Sequence, residues 1–212
     1  MTTQPLILYM ARHGQTEYNR QRRMQGRSVD ASLNETGLRQ GAALAARMEG
    51  EALDAVYCST LARARETAEL LAEPHGIKPV LLPDLAEMAW GTLEGTPIDD
   101  HLEYLQNLGS RWRAGQFGDR VGGAESILDV ERRARSVFSY LGATHADGER
   151  IFVVTHGRFM RVLLSIIVPG ASLKDMDEFP HSNTGVYRAE RLGGVWSVTV
   201  RNDTKHLEEV AP

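Results

Sequence analysis

Cysteine is nearly absent from this chain: Cys58 is the only one among 212 residues. That excludes an intramolecular disulfide and any cysteine-based metal framework. Lysine is scarce too. Of 24 basic residues only Lys78, Lys174 and Lys205 are lysines, which leaves 21 arginines. Genome composition accounts for the bulk of that bias, while the planar guanidinium fork keeps open a role in binding phosphate or carboxylate. No apolar run approaches the ~20 residues that a membrane helix needs. Met1–Pro5 lacks a charged region followed by an apolar stretch, so no secretory signal is expected. A cytoplasmic location without a membrane partner is the default expectation. No Gly-x-x-x-x-Gly-Lys-Ser/Thr loop is present, which argues against a nucleotide kinase or ATPase. The net charge of −4, from 24 basic and 28 acidic residues, suits neither a nucleic-acid coat nor a polybasic membrane binder.

What is present is the material of an ordinary globular core, with 42% hydrophobic and 25% charged residues. A chain of this length buries roughly 70% of its unfolded surface without staples. No Pro/Gly-rich linker or fixed-period repeat divides it, so one domain is expected over residues 1–212. Short apolar runs at Leu6–Met10, Ala55–Cys58, Pro79–Leu82 and Ile151–Val154 predict buried strands. Helical spacing joins Leu38, Ala42, Ala45 and Met48 within Thr36–Met48. It also joins Leu61, Ala64, Ala68 and Leu71 within Thr60–Ala72, with Ser59 or Thr60 as N-cap. Val130, Ala134, Val137, Phe138 and Leu141 trace a further apolar face behind Ser126, and Arg158–Val168 reads as a buried helix. Gly193-Gly194 between Gly185–Glu190 and Val195–Val200 signals a hairpin. Alternating strands and helices imply an α/β fold of three α/β/α layers around a mainly parallel central sheet. The stretch Gly95–Gly123 has weak periodicity and reads as an inserted lid or loop.

The first strand runs directly into Arg12-His13-Gly14-Gln15-Thr16-Glu17-Tyr18-Asn19, and the strand Ile151–Val154 into Thr155-His156-Gly157. Ligands of parallel sheets bind beyond the carboxyl ends of the strands, so two His-Gly pairs in matching positions are expected to meet in one crevice. Ser59, Arg63 and Thr67 share one helical face at i, i+4 and i+8. Arg63 near a helix N-terminus, with Arg12, would make a site for a dianion. A neutral imidazole can carry a phosphoryl group, and arginines can neutralise its oxygens. The leaving oxygen then needs a proton. Glu87, among the apolar residues of Leu85-Ala86-Glu87-Met88-Ala89-Trp90, leads Glu94 and Asp84 for that task, though these alternatives stay open.

On these residues the chain resembles the histidine phosphatase superfamily, in the branch containing cofactor-dependent phosphoglycerate mutases and related small-molecule phosphatases. Beyond the opening signature, Gln25-Gly26 matches a phosphate-loop contact and Leu33-x-x-Thr36-Gly37 the start of the next helix. Ser59-x-x-x-Arg63-x-x-x-Thr67, Leu85-x-Glu87 with Gly91 and Glu94-Gly95, Gly122-Gly123-x-Glu125-Ser126, Val153–Gly157 and Asn183-Thr184 follow in order. The resemblance implies that His13 is the nucleophile and that Arg12, Arg63 and His156 bind the transferring phosphoryl group. It adds Asn19, Gln25, Gly26 and Gly157 as further phosphate contacts and Glu87 as proton donor. No metal or other cofactor is implied.

The implied activity is hydrolysis of phosphate monoesters of small phosphorylated metabolites. The family's mutases carry a longer insertion after the acid segment, with an acidic-basic-aromatic run that Gly95–Gly123 lacks, so mutase activity is the alternative. A non-catalytic phospholigand-binding module is a further rival, opposed by the retention of both histidines, both arginines and Glu87. Arg20, Arg22, Arg23, Arg111 and Arg113 are read mainly as solvated surface, with a second anion subsite as the other reading. The remaining histidines have no ligand-like spacing, which argues against a metalloesterase. His206 is the tail residue expected to fold back over the site if any does. Substrate identity, and whether the chain forms a homodimer, are not legible.

Overall fold

The computed structural model describes residues 4–208 and 210; the first three residues of Met1–Pro5 therefore lie outside the described residues. Its centre is a six-stranded sheet made of β1 (Leu6–Arg12), β2 (Ala55–Cys58), β3 (Val80–Leu81), β4 (Arg150–Thr155), β5 (Val186–Leu192) and β6 (Val195–Asp203). The spatial order is β3-β2-β4-β1-β5-β6. The first four strands run parallel, and β5 and β6 add an antiparallel hairpin. Gly193 and Gly194 turn that hairpin with φ of 58° and 81°, the left-handed pair a two-residue primed turn requires.

Strand parity divides the core into two. Leu8, Met10, Tyr57, Ile151 and Val153 face one side, packing against α5 (Ile127–Thr144) and α6 (Gly157–Ile167). Ile7, Tyr9, Ala11, Val56, Cys58, Phe152 and Val154 face the other, against α2 (Glu35–Met48) and α3 (Ala62–Ala72). Strands β1, β2 and β4 are apolar on both faces because both faces are covered, whereas the edge strands β3 and β6 are not buried, with Val80 and Leu81 exposed. This is the expected three-layer arrangement. A four-residue helix, α1 (Glu17–Arg20), follows β1, and α4 (Leu102–Arg113) lies between β3 and β4. No helix among the described residues is long and apolar enough to cross a membrane.

Three local expectations change. Helix α2 buries Gly37, Gly41, Leu44, Ala45 and Met48, while Leu38 is 47% exposed and Ala42 faces solvent. Its contact stripe is centred on two glycines because α3 packs closely, with Leu70 filling the space at Gly41. Helix α3 starts at Ala62, so Ser59 is not on its face; the N-cap Leu61 has no capping side chain. Asp30 serves instead, its Oδ1 accepting from the Ala62 N–H at 2.6 Å. The stretch 95–123 is not an irregular loop. It contains α4, whose Leu108 and Trp112 are buried in the core.

Gly37 is required by close approach: a methyl group there would overlap the Gln15 carbonyl, and Gly14 leans on the Gly37 backbone in turn. Gly37→Ala should therefore cost about 1–3 kcal/mol through overpacking. Gly50→Ala, with nothing near its absent Cβ, should change stability by less than about 0.5 kcal/mol. Denaturant midpoints of the two variants check this contrast.

Candidate active site

Arg12 and Thr155 are in-register partners at the ends of adjacent parallel strands. His13 and His156 are the next residues of each, so the pairing delivers both imidazoles to one spot. Their ring centroids lie 5.1 Å apart with planes tilted by 56°. Both are buried, at 2% and 0% exposure. The His13 backbone is pinned on both sides: its N–H donates to Thr155 O at 3.0 Å, and its carbonyl accepts from Asn183 Nδ2 at 2.8 Å.

The His13 ring is held in one tautomer. Nδ1 lies 2.7 Å from the Gly14 carbonyl oxygen, which can only accept, so Nδ1 carries the proton. Arg63 Nε donates to Nε2 at 3.2 Å, consistent with a lone pair on that atom. Burial, reinforced by Arg63 and Arg12, holds the His13 imidazole well below its ordinary range, and the same groups together with His13 do so for His156. Both rings are therefore neutral at pH 7. Neither ring nitrogen of His156 has a protein partner among the described residues.

Arg63 is fully buried on the first turn of α3. Its Nη1 donates to Val29 O at 2.8 Å and its Nη2 to Gly26 O at 3.2 Å, which fixes the fork beside His13 and ties down the Gln25-Gly26 loop. Arg12 donates from Nη1 to His181 O at 3.4 Å, while its Nε is buried without a partner. Gln25 accepts through Oε1 from Thr16 Oγ1 at 3.0 Å, leaving its buried Nε2 unpaired as well. Two arginines and two unpaired nitrogen sets thus converge where Glu87 is the leading attractive charge felt by both Arg12 and Arg63. Unpaired buried donors are costly unless something accepts from them. An oxyanion would.

Glu87 is 8% exposed, but its carboxylate is not in an apolar pocket as its sequence neighbours suggest. It accepts from the backbone N–H groups of Arg158 and Phe159 at 3.1 Å, at the N-terminus of α6, and from its own neighbour Met88 N–H at 2.8 Å. The correction is geometric: side chains flanking Glu87 in sequence point into the core, while the carboxylate turns to the helix end. Thr155 Oγ1 donates to Leu85 O, and Arg133 donates to the carbonyls of Asp84 and Ala86. Glu125 accepts from Ala89 N–H and pairs with Arg133. The segment is clamped from three sides, and Glu125 takes its place in the motif as part of that clamp. The rivals to Glu87 separate here. Glu94 accepts from Trp90 N–H and Ser28 and backs the Gly26 loop, and Asp84 does not line the cavity.

Arg12, His13, Asn19, Gln25, Arg63, Glu87 and Gly157 all line one cavity. Gly26 touches it indirectly, as a carbonyl acceptor for Arg63, and the His156 ring sits behind His13. A sequence profile for the histidine phosphatase superfamily (branch 1) matches residues 8–204. The chain belongs to that superfamily. The chain is 32% identical over 205 residues, 95% of its length and 87% of the relative's, to phosphoglycerate mutase-like protein 4 of Arabidopsis thaliana. Among solved structures it is similar to mycobacterial glucosyl-3-phosphoglycerate phosphatase in complex with VO3. There the TM-score is 0.83 at 26% identity, covering 94% of this chain and all of that one. It is also similar to Bacillus stearothermophilus YhfR, with a TM-score of 0.82 at 30% identity and coverage of 96% and 100%.

Several lining residues escaped the sequence reading: Trp90, Trp112, Arg158, Asp177 and His181. Arg158 carried the one usable signal, since it follows a strand-end His-Gly directly. His181 reaches the site because Gly157 leaves room, with the imidazole 3.4 Å from where a Cβ would stand. His206 does not line the cavity. It is hydrogen-bonded to Thr184 and Arg47 on the α2 side. Of the variable arginines, Arg20 pairs with Glu17, Arg22 with Asp99, Arg111 with Asp119 and Arg113 with Asp177. Arg23 alone among these five lines the cavity.

Histidines kept neutral by folding make stability depend on pH. The unfolded imidazoles take up protons below about 6.5, whereas buried His13 and His156 resist them. Their contribution is therefore whole above that pH and declines below it, by up to about 1.4 kcal/mol per pH unit for each histidine. Melting temperature should fall between pH 7.5 and 5.5, and His156→Gln should flatten the curve. Parallel curves for the two proteins would contradict the assignment.

Proposed function

We propose that this chain hydrolyses phosphate monoesters of small metabolites through a phosphohistidine on His13, without a metal. The observation that carries this reading is the His13 tautomer. Its Nδ1–H is committed to the Gly14 carbonyl, so Nε2 presents a lone pair between Arg12, Arg63 and His156. In the first step Nε2 attacks phosphorus, the N–P bond forms and the ester P–O bond breaks. Arg12 and the donors on Gln25 and His156 take the phosphoryl oxygens, gaining the partners they lack at rest, and the Arg63 Nε–H turns from His13 Nε2 to a phosphoryl oxygen as Nε2 attacks.

The leaving oxygen takes a proton from Glu87, which lines the same cavity as His13 and is held against the N-terminus of α6. In the second step Glu87 accepts a proton from water as that water attacks phosphorus, the N–P bond breaks, and inorganic phosphate leaves. Asn19 and Gly157 border the same space, and the segment 95–123 acts as its cover, with α4 forming the far wall. Hydrolysis is favoured over isomerisation by the compact cover, and the phosphatase among the similar structures supports it. The mutase reading has its own support in the name of the 32% identical relative.

His13→Ala should lower phosphate release by at least about a thousandfold, and activity should persist in EDTA. Glu87→Gln should slow turnover by roughly 10²–10⁴ while leaving inhibition by vanadate largely intact. Loss of vanadate inhibition would instead make Glu87 a shaper of the pocket. Running phosphate release beside 3- to 2-phosphoglycerate conversion, with and without 2,3-bisphosphoglycerate, separates the two activities. Isomerisation in excess of hydrolysis would establish the mutase.

A further inference from the structure

The apolar part of the cavity lining is built unlike the phosphoryl end. Its wall is formed by Met24, Trp90, Ile98, Leu105 and Trp112. Three of these come from residues 98–113, where Leu105 and Trp112 share one face of α4. Trp90 and Trp112 lie with ring centroids 6.4 Å apart. The Arg158 guanidinium closes the wall by lying over the Trp112 ring at 4.7 Å.

Two of the cations near this wall are already answered. Arg158 donates to Asp177 at 2.7 Å, and Arg161 donates to the same carboxylate at 3.0 Å and to Phe179 O. Arg23 is the one lining cation outside the phosphoryl end without a carboxylate partner among the described residues, and its guanidinium lies 5.9 Å over the Tyr18 ring. A hydroxyl or carboxylate placed against the tryptophan ring faces and Leu105 would lose water and find no partner there; the unpaired donors nearby are Arg23, stacked on Tyr18, and the Trp112 Nε1–H, which is buried away from solvent. The whole cavity measures 260 Å³, below the ~300–1,000 Å³ of pockets for drug-sized ligands. Once a phosphoryl group is seated, room is left for a small body only.

We propose that the leaving-group half of this cavity selects phosphate monoesters of small uncharged alcohols with an apolar body of about one ring. This rests on the phosphatase reading above for its chemistry, but the selectivity is a property of binding and is measurable without turnover. Esters that carry a second acid or several hydroxyls are disfavoured, whatever their role in other proteins of this fold.

The test uses the whole chain and two readouts. Titration calorimetry compares benzylphosphonate with 2,3-dihydroxypropylphosphonate and 3-phosphonopropionate, none of which can be hydrolysed. Benzylphosphonate should bind at least about tenfold more tightly than either, the effect of burying one leucine-sized apolar group. Equal or tighter binding of either polar analogue would overturn the proposal. Hydrolysis of benzyl phosphate is then compared with that of glycerol 3-phosphate, whose alcohol is a similarly poor leaving group, and kcat/KM should again differ by about tenfold. Leu105→Gln should compress both ratios to below about threefold, and unchanged ratios would overturn the wall's role. Binding in the expected order without turnover of either ester would overturn the phosphatase reading and leave the selectivity standing. Equal kcat/KM for both esters would overturn the selectivity and leave the phosphatase standing.

Discussion

The parallel pairing of β1 with β4 is the constraint from which the site follows. It aligns Arg12 with Thr155, so the two strands end together and the next residue of each is a histidine. A slip of one residue would turn alternate side chains to the opposite face and separate the imidazoles. That slip is opposed by the core itself. Leu8, Met10, Ile151 and Val153 pack on one layer and Ile7, Tyr9, Phe152 and Val154 on the other, so a one-residue slip moves buried groups into the wrong layer. The catalytic spacing is thereby underwritten by apolar packing that touches no substrate.

Electrostatics runs the other way. The site holds two buried guanidinium groups with no ion-pair partner among the described residues, an imidazole with both nitrogens unpaired, and a carboxylate held by backbone donors at a helix end. The guanidinium groups and the imidazole cost stability at rest, while the carboxylate has its donors. Both become favourable when a phosphoryl dianion accepts their hydrogen bonds. A site poised in this way binds its charge without reorganising, and the clamps around it explain how it persists. Asn183 and Thr155 hold the His13 backbone, Val29 and Gly26 hold Arg63, and Arg133 with Glu125 holds the Glu87 segment. Glycines make the close approaches: Gly37 admits the Gln15 carbonyl, and Gly91 and Gly122, both at positive φ, admit each other.

Much of this was legible in the sequence because it is written in short, local patterns. Strand-end His-Gly pairs, an arginine at the start of a helix, a Gly-Gly hairpin and a Ser126 cap all depend on neighbours in the chain. The fold class followed from the same alternation of apolar runs and helical spacing. What stayed hidden depends on partners distant in sequence. Asp30 caps α3 from 32 residues away, which made Ser59 look like part of the helix. Leu38 fits a helical stripe by spacing yet faces solvent because two glycines carry the contact with α3. Glu87 sits among apolar residues in the chain and against polar backbone in space. Helix α4 has its apolar face spread over a wall of the cavity as well as the core, which blurred its periodicity. The leaving-group wall itself combines residues from four separate stretches, and no single stretch announces it.

The central claim is that phosphorus passes through a covalent bond to Nε2 of His13. The most direct measurement is acid-free quenching of the protein during turnover of a phosphate monoester, followed by peptide mass spectrometry and phosphorus NMR. The account predicts a base-stable, acid-labile phosphoryl group on the peptide containing His13, bonded at Nε2, that forms and decays as fast as phosphate is released. A phosphoryl group on another residue, or turnover at full rate with none on His13, would contradict it.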